Sequence, residues 1–333
     1  MTAEEKIRGR KMGVLGMARS GVAAAIMGRE HGGYPFVSDA ADAGKLAAPI
    51  KRLQAGGIPF ETGGHTDKLL SCDYLVISPG VTLAAPIIVR ALDKGIPVFS
   101  ELEFASWVCQ GAIVAITGTN GKTTTTALTG EIFTAGGFTT FVCGNIGRAF
   151  TEVASLVPYG GVAVVEVSSF QLETIADFKP RVSVILNVTP DHLDRHGSME
   201  NYKKTKYRIA ENQTAEDYYI INLEDPELAT DKAPTDATRL HFSTRVNDNA
   251  NTFVRDGYLW TRFEGREQQI IACDEIGIVG PHNLQNAAAA VACALPFGLK
   301  PSAIAKALAT FPGVEHRLEK AGTVAGVNFI NDS

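Results

Sequence analysis

Short apolar runs alternate with amphipathic stretches along most of the 333-residue chain. In the first third, the apolar runs predict buried strands, and two helical patterns lie between them. The strands are expected at 11–16, 35–39, 73–78 and 96–100, and the helices at about 21–30 and 86–94. A strand, a helix and a second strand that ends in an acid begin a βαβ unit. This pattern therefore predicts one small doubly wound, Rossmann-like domain over residues 1–110.

A second unit, again with alternating strands and helices, is predicted over residues 111–325. Alternating polarity around Asp256-Gly257 and Glu264-Gly265 is typical of hairpins. Other strands are expected at 112–116, 139–143, 162–167, 182–188 and 218–222, and helices at 199–213, 284–295 and 301–309. The predicted fold class is α/β, with a mostly parallel sheet and a small antiparallel sheet in this second unit.

Composition narrows the class of protein. With 45% hydrophobic and 20% charged residues, the chain resembles a soluble globular protein. A net charge of −5 argues against a general nucleic-acid binder, which needs a basic face. The five cysteines are scattered and odd in number, so we expect reduced residues and no disulfide framework. The first residues lack an apolar secretion signal, and no window approaches ~18 apolar residues, so we expect a cytoplasmic protein without a membrane segment.

The strongest motif, Gly118-Thr119-Asn120-Gly121-Lys122-Thr123-Thr124, lies between a predicted strand and a predicted helix. Glycines let a backbone wrap a polyphosphate, and a helix N-terminus adds N–H donors and a favourable dipole. Lys122 supplies a fixed positive charge, and the Thr123 hydroxyl can bind Mg²⁺. A chance Gly-Lys-Thr turn is the alternative. The motif predicts a phosphate loop of a variant kind.

Two further positions carry candidate chemistry. Glu166 lies in a strongly apolar strand. Burying its carboxylate there is unfavourable in free energy unless the group is paired or bound to a metal ion. We interpret it as a Mg²⁺ ligand, and a salt-bridged structural acid is the alternative. The run from Asn187 to His196 follows a buried strand, where α/β sheets bind ligands. Within it, His192 is a candidate for a second Mg²⁺ or for phosphate oxygens, and a structural histidine is the alternative.

Two segments are less informative by themselves. The turn from Gly16 to Gly21 is a loose version of the dinucleotide fingerprint and fits either anion binding or tight packing. The basic run from Tyr202 to Arg208 is typical of a solvated helix face. Residue chemistry alone gives Lys206 no role.

Together these motifs resemble the Mur ligase family of ATP-dependent amide ligases in peptidoglycan assembly. The phosphate loop resembles the family's ATP loop, and Gly280-Pro-His-Asn283 resembles its adenine-side motif. The run from Phe311 to Arg317 resembles its arginine motif. Within the family, the segments Glu166–Glu173 and Asn187–His196 resemble most the branch that adds D-glutamate. The resemblance covers essentially the whole chain.

The resemblance implies a role for each matching residue. Lys122, Glu166, His192 and Lys206 would be catalytic, and Lys206 would carry a CO₂-derived carbamate. Two Mg²⁺ ions would be held by Thr123, Glu166, His192 and carbamylated Lys206. ATP would contact residues 118–124, Asn283 and Arg317. The UDP-substrate would contact Gly16, Met17, Ala18, Arg19, Ser20, Asp39, Ser78, Pro79, Gly80 and Asn145.

The implied reaction joins D-glutamate to UDP-N-acetylmuramoyl-L-alanine through an acyl phosphate, at the expense of ATP, in a monomeric protein. The chain stops just after an apolar strand, so we expect residues 326–333 to begin a linker to a missing C-terminal domain that carries D-glutamate contacts. The fragment would then bind substrate and ATP but be catalytically incomplete. Three alternatives stay open: another amide ligase of the family, a phosphate-loop NTPase and a non-catalytic sugar-nucleotide sensor.

Overall fold

The structure is a computed structural model that describes residues 3–230, 233–314, 319–324 and 327–331, the last two segments by their backbone alone. Its α-helices are α1 (Ala3–Ile7), α2 (Arg19–Glu30), α3 (Ala47–Ala55), α4 (Pro86–Asp93), α5 (Glu101–Ser106), α6 (Lys122–Ala135), α7 (Ser169–Leu172), α8 (Leu193–His196), α9 (Met199–Tyr207), α10 (Pro281–Ala294) and α11 (Pro301–Thr310). Its strands are β1 (Lys11–Leu15), β2 (Tyr34–Asp39), β3 (Phe60–Thr62), β4 (Tyr74–Ile77), β5 (Val98–Ser100), β6 (Ala112–Thr117), β7 (Thr140–Gly144), β8 (Val162–Glu166), β9 (Val182–Ile185), β10 (Tyr218–Asn222), β11 (Thr238–Phe242), β12 (Thr252–Arg255), β13 (Tyr258–Phe263), β14 (Arg266–Ala272), β15 (Glu319–Val324) and β16 (Val327–Asn331).

The chain forms two compact units. The first contains Met1–Ala112 with the later segments Cys143–Tyr159 and Val167–Lys179, and the second contains Ile113–Val142, Gly160–Glu166 and Pro180–Ser333.

A five-stranded parallel sheet with the order β3-β2-β1-β4-β5 forms the centre of the first unit. Strands β1 and β4 are apolar and almost completely buried, as expected for a parallel sheet covered on both faces. Leu15, Leu75 and Ile77 pack with Ile87 and Ile88 of α4 in one cluster. Because β2 and β4 flank β1 on opposite sides, the chain reverses its direction of winding there, and such a switch point is where open α/β sheets bind ligands.

Two buried acids of α5 hold the later segments of the first unit. Glu103 accepts backbone N–H bonds from Ala176 and Phe178 at 3.0 and 2.8 Å. Glu101 accepts bonds from both the backbone N–H and the hydroxyl of Thr151, each at 2.7 Å. Burial nevertheless raises the pKa of the Glu101 carboxyl. These bonds give both acids a structural role, since each replaces lost water with several protein donors.

The second unit is built on a nine-stranded sheet with the order β14-β13-β12-β11-β10-β9-β6-β8-β7. The run from β6 through β9, β10 and β11 to β12 is parallel, and β13 and β14 continue it in antiparallel fashion. A separate antiparallel pair is formed by β15 and β16. The predicted α/β class with a mostly parallel sheet is confirmed, and the hairpin strands extend this sheet.

Several predicted elements differ in extent from the observed ones. The helix expected at 199–213 ends at Tyr207, where a 3-10 turn begins. The strand expected at 182–188 ends at Ile185, because the chain turns toward the loop that follows β6. The pattern gave no prediction for α3, β3, α5 or β11. These are short elements without a clear apolar period, and tertiary packing decides them.

Within the described residues, every helix is too short or too polar to span a bilayer.

Candidate functional site

The loop after β6 adopts a fixed, tightly packed conformation. Gly121 ends it in the left-handed region, at φ 83°, and α6 begins at Lys122. A Cβ atom at this position would also collide with Oδ1 of Asn286 on α10. Only glycine fits both the backbone and the space. The first turn of α6 therefore points its N–H groups out of the carboxyl end of the sheet, as a phosphate site requires.

Two lysines meet at one carbonyl of this loop. The Nζ atoms of Lys122 and Lys206 each donate to the carbonyl oxygen of Gly118, at 3.0 Å in both bonds. Lys122 also donates to the carbonyl oxygen of Thr119 at 2.9 Å. The loop therefore brings together the amino groups of two different helices. The positive charge of Lys122 at this loop suits a polyphosphate.

The basic run on α9 is not a uniformly solvated face, so that expectation was wrong for one of its members. Lys206 is 1% exposed, whereas the side chain of Lys204 is 67% exposed. Burial, and secondarily the charge of Lys122, lowers the pKa of Lys206 to about 7. The ring of Tyr202 lies 4.5 Å from its Nζ atom. Near neutral pH, Lys206 therefore populates its neutral amine form, which is nucleophilic.

Glu166 is buried at the end of β8, and its Oε2 atom accepts a 2.9 Å hydrogen bond from the hydroxyl of Thr123. Thr123 and Glu166, which were both predicted as Mg²⁺ ligands, therefore lie together beside the phosphate loop. A hydroxyl and a carboxylate are hard oxygen ligands of the kind that Mg²⁺ takes together with phosphate oxygens and water. Among the described residues, no group of three or more His, Cys, Asp or Glu side chains forms a metal site by itself. The donor set fits an ion that is shared with a phosphate ligand.

The loop after β9 lies against the phosphate loop. Asn187 bonds to the backbone of Thr119 and Asn120, and the hydroxyl of Thr119 contacts the carbonyl oxygen of Thr189 at 3.2 Å. The Thr119 side chain, which was predicted to contact ATP, is therefore buried between the phosphate loop and the loop after β9. His192 has φ 50°, and its exposed ring faces Asp191, with Nε2 3.5 Å from Oδ2. His192 lies on the exposed surface of this loop.

The start of α10 supports the phosphate loop from the other side. Asn283 donates to the carbonyl oxygen of Val279 at 2.9 Å and accepts a 3.2 Å bond from Asn286. Asn286 in turn accepts a bond from the hydroxyl of Thr125 on α6 at 3.2 Å. Asn283 is therefore held at the start of α10, next to Asn286, and its contact with ATP stays a prediction. Arg317 lies outside the described residues.

In the first unit, the turn after β1 and the end of β2 are tied together. The two oxygens of Asp39 accept backbone N–H bonds from Met17 and Ala41, at 2.6 and 2.8 Å. Gly21 lies so close to the carbonyl of Gly16 that no side chain fits there. The turn is thus preformed, and α2 begins at Arg19 within it.

Ser78 at the end of β4 provides an orphaned polar atom at this turn. Its hydroxyl is buried and has no hydrogen-bond partner among the described residues. It lies 2.8 Å from the position that a Cβ on Gly16 would take. A buried hydroxyl without a partner is unfavourable unless a ligand satisfies it. The first unit therefore fits an anionic ligand at the switch point of its sheet.

The remaining predicted contacts of the first unit are loop residues. Ala18, Arg19 and Gly80 are exposed, and Ser20 and Pro79 are half-buried. Asn145 is exposed in the loop after β7, which the bond from the Gly144 N–H to the Arg148 carbonyl closes at 2.8 Å.

Two residues that organise the site received no role from the sequence. Asn187 and Asn286 stand inside the motifs quoted above, and a motif does not tell which polar side chain faces the ligand and which faces the backbone. Only their hydrogen bonds to the phosphate loop and to α6 distinguish them.

Comparison with known proteins agrees with this geometry. Residues 116–294 match the family described as Mur ligase middle domain, and residues 11–86 match MurD N-terminal domain. The UDP-N-acetylmuramoylalanine–D-glutamate ligase of Alkaliphilus oremlandii is 44% identical over 96% of this chain and 71% of its own length. That of Koribacter versatilis is 40% identical over 98% of this chain and 72% of its own length.

Solved structures show the same fold at low identity. A murein peptide ligase from Psychrobacter arcticus has a TM-score of 0.62 and 19% identity, over 97% of this chain and 73% of that one. The UDP-N-acetylmuramate–alanine ligase MurC from Thermotoga maritima has a TM-score of 0.56 and 23% identity, over 97% of this chain and 74% of that one. The chain therefore belongs to the Mur ligase family, and within it to the UDP-N-acetylmuramoylalanine–D-glutamate ligases.

Proposed function

We propose that this chain binds UDP-N-acetylmuramoyl-L-alanine and ATP and takes part in the ATP-dependent addition of D-glutamate, in the cytoplasm and as a monomer. The convergence of Lys122, Lys206 and the Thr123–Glu166 pair on one loop supports the ATP part. The orphaned hydroxyl of Ser78 beside the Gly16–Gly21 turn supports the sugar-nucleotide part. The names of the relatives at 40–44% identity supply the substrates.

The chemical difficulty of the reaction is the approach of a carboxylate to an anionic phosphate. At ~4 Å, two unit charges repel by roughly 4 kcal/mol at an effective dielectric constant near 20. Lys122 and the N–H groups of the first α6 turn offset this repulsion by stabilising charge on the phosphoryl oxygens. The alanyl carboxylate of the substrate would then attack the terminal phosphorus of ATP, breaking its bond to the bridging oxygen and releasing ADP. The amine of D-glutamate would attack the resulting acyl phosphate, forming the amide and releasing phosphate.

Mg²⁺ would be held by the Thr123 hydroxyl and the Glu166 carboxylate, with His192 as a further candidate ligand. When bound, the ion would neutralise phosphate charge and orient the terminal phosphate for in-line attack. The chain's own residues prepare this site, because Glu166 already fixes the Thr123 hydroxyl beside the first turn of α6. Two such ions are part of the proposal.

Lys206 is proposed to react with CO₂. Its neutral amine would add to the carbon of CO₂ and lose a proton, giving a carbamate. Two features support this: the amine is buried, and its pKa is lowered to about 7. A carbamate would also replace the unfavourable pairing of two lysine ammonium groups at the Gly118 carbonyl with an attractive one toward Lys122.

Calorimetric titration tests the proposal. We expect saturable binding of UDP-N-acetylmuramoyl-L-alanine, weaker binding of UDP-N-acetylmuramate, and separate binding of Mg·ADP. Replacing Lys122 with Ala should abolish the Mg·ADP signal and leave the UDP-substrate signal intact, since the two ligands use different units. Binding of Mg·ADP without either UDP-sugar would favour a phosphate-loop NTPase. Binding of the UDP-sugars alone would favour a sugar-nucleotide sensor.

A further inference from the structure

Among the residues that the structure describes, the Asn187 side chain makes hydrogen bonds only with the backbone of the phosphate loop. Its Oδ1 atom accepts N–H bonds from two consecutive residues, Thr119 at 3.0 Å and Asn120 at 2.8 Å. Its Nδ2 atom donates to the carbonyl oxygen of Asn120 at 3.1 Å. The amide oxygen thus accepts from two N–H groups of the loop, and the amide nitrogen donates to one of its carbonyl groups.

These bonds decide which loop atoms can face a ligand. The N–H groups of Thr119 and Asn120 point at Asn187, so they are not available to a phosphate. The chain then turns through the left-handed Gly121 into α6. The first turn of α6 then offers N–H groups that have no partner within the helix. A rotated 119–120 peptide would redirect Gly121 and this turn, because the backbone dihedrals on either side of a planar peptide are coupled.

The same contact joins two parts of the site. The backbone N–H of Thr119 also reaches the carbonyl oxygen of Asn187 at 3.0 Å. The Thr119 hydroxyl contacts both the carbonyl oxygen and the N–H of Thr189, at 3.2 and 3.1 Å. The segment so attached continues to Asp191 and His192. The phosphate loop and the loop after β9 are thereby held as one body.

We propose that Asn187 is a positioning residue for the polyphosphate of ATP: it orients the 119–120 peptide so that the first α6 turn, and not the loop before it, presents its N–H groups to the phosphates. The inference rests on the proposed binding of ATP at this loop. Asn187 acts through the loop backbone and needs no contact with the nucleotide.

The test is the affinity of Asn187→Ala for Mg·ADP, measured by calorimetry together with its affinity for UDP. We expect Mg·ADP to bind about tenfold more weakly, since one loop N–H and one loop carbonyl lose their partner. UDP, which is expected to bind the first unit, should bind as in the wild type. A purely structural loss would lower both affinities or neither, so equal changes in the two ligands would overturn the proposal.

Asn251→Ala is a matched control. Asn251 also joins two backbone groups in the second unit, the N–H of His241 at 2.9 Å and the carbonyl oxygen of Arg262 at 3.0 Å. Those groups belong to the strands β11 and β13, away from the phosphate loop. Its removal should lower the thermal midpoint by an amount comparable to Asn187→Ala and leave Mg·ADP affinity unchanged.

Asn187→Asp keeps the shape of the side chain, so it carries the test if the alanine variant does not fold. One carboxylate oxygen would face the Asn120 carbonyl, where Nδ2 now donates. We expect a loss of Mg·ADP affinity larger than tenfold with UDP binding unchanged. Wild-type Mg·ADP affinity in this variant would overturn the role of Asn187. A wild-type chain that binds no Mg·ADP would instead reject the proposed ATP site.

Discussion

Replacing Lys206 with Met should stabilise the protein in a pH-dependent way. Met has nearly the same length and no charge, so the substitution removes a buried ammonium group without a large cavity. Burial lowers the pKa of Lys206 from 10.5 to about 7. In the unfolded chain the amine keeps its ordinary pKa, and between these two values only the unfolded state is protonated. The wild type therefore gains stability as pH rises from about 7 to about 10.5.

The size of the effect follows from the same values. A shift of one pKa unit corresponds to ~1.4 kcal/mol. Relative to a neutral side chain, Lys206 therefore lowers the free energy of unfolding of the wild type by ~5 kcal/mol at pH 6 and by ~2 kcal/mol at pH 9. Loss of the bond from Lys206 to the Gly118 carbonyl subtracts a constant ~1 kcal/mol from the gain of the variant. The stability difference between variant and wild type should therefore shrink by about 3 kcal/mol between pH 6 and pH 9.

Urea unfolding in CO₂-free buffers at four pH values between 6 and 9 measures this difference. Lys204→Met is the control, because its side chain is on the same helix, is 67% exposed and pairs only with Glu200 among the interactions described for it. We expect a flat pH dependence for that variant. A Lys206→Met difference that is also flat would mean that Lys206 keeps an ordinary pKa, and it would refute the reasoning. Added bicarbonate should stabilise the wild type alone if the carbamate forms.

Three further outcomes are expected. Gly121→Ala should lower the free energy of unfolding by about 2 kcal/mol or more, from left-handed strain and the collision with Asn286, and weaken Mg·ADP binding. Unchanged urea midpoints would contradict this. Ser78→Ala should weaken UDP-substrate binding about tenfold without loss of thermal stability, because its hydroxyl has no partner to lose; equal affinity would remove Ser78 from the site. Burial raises the pKa of Cys72 and of Cys109 to about 11, so iodoacetamide at pH 8 should label both on the order of 100-fold more slowly than free cysteine, as mass spectrometry can follow.

The sequence determined the order and type of most elements and the place of the phosphate loop. Apolar runs such as β1, β6 and β8 are buried on both faces of their sheets, so periodicity and length suffice to predict them. The segment from Gly118 to Thr124 predicted a phosphate site, because glycine, lysine and threonine at this spacing between a strand and a helix are typical of phosphate loops. The branch of the family followed from longer motifs, which the comparisons confirm.

Tertiary structure alone decided what each polar side chain faces. Lys206 lies in a run of basic residues, and nothing in that run distinguishes it from Lys204. The α9 helix turns one lysine toward the Gly118 carbonyl and leaves the other in solvent. Asn187 and Thr119 lie 68 positions apart in the chain, and their bond forms because β6 and β9 are neighbours in the sheet. Burial and long-range pairing set the pKa of Lys206 and the shape of the phosphate loop, and neither is a property of local sequence.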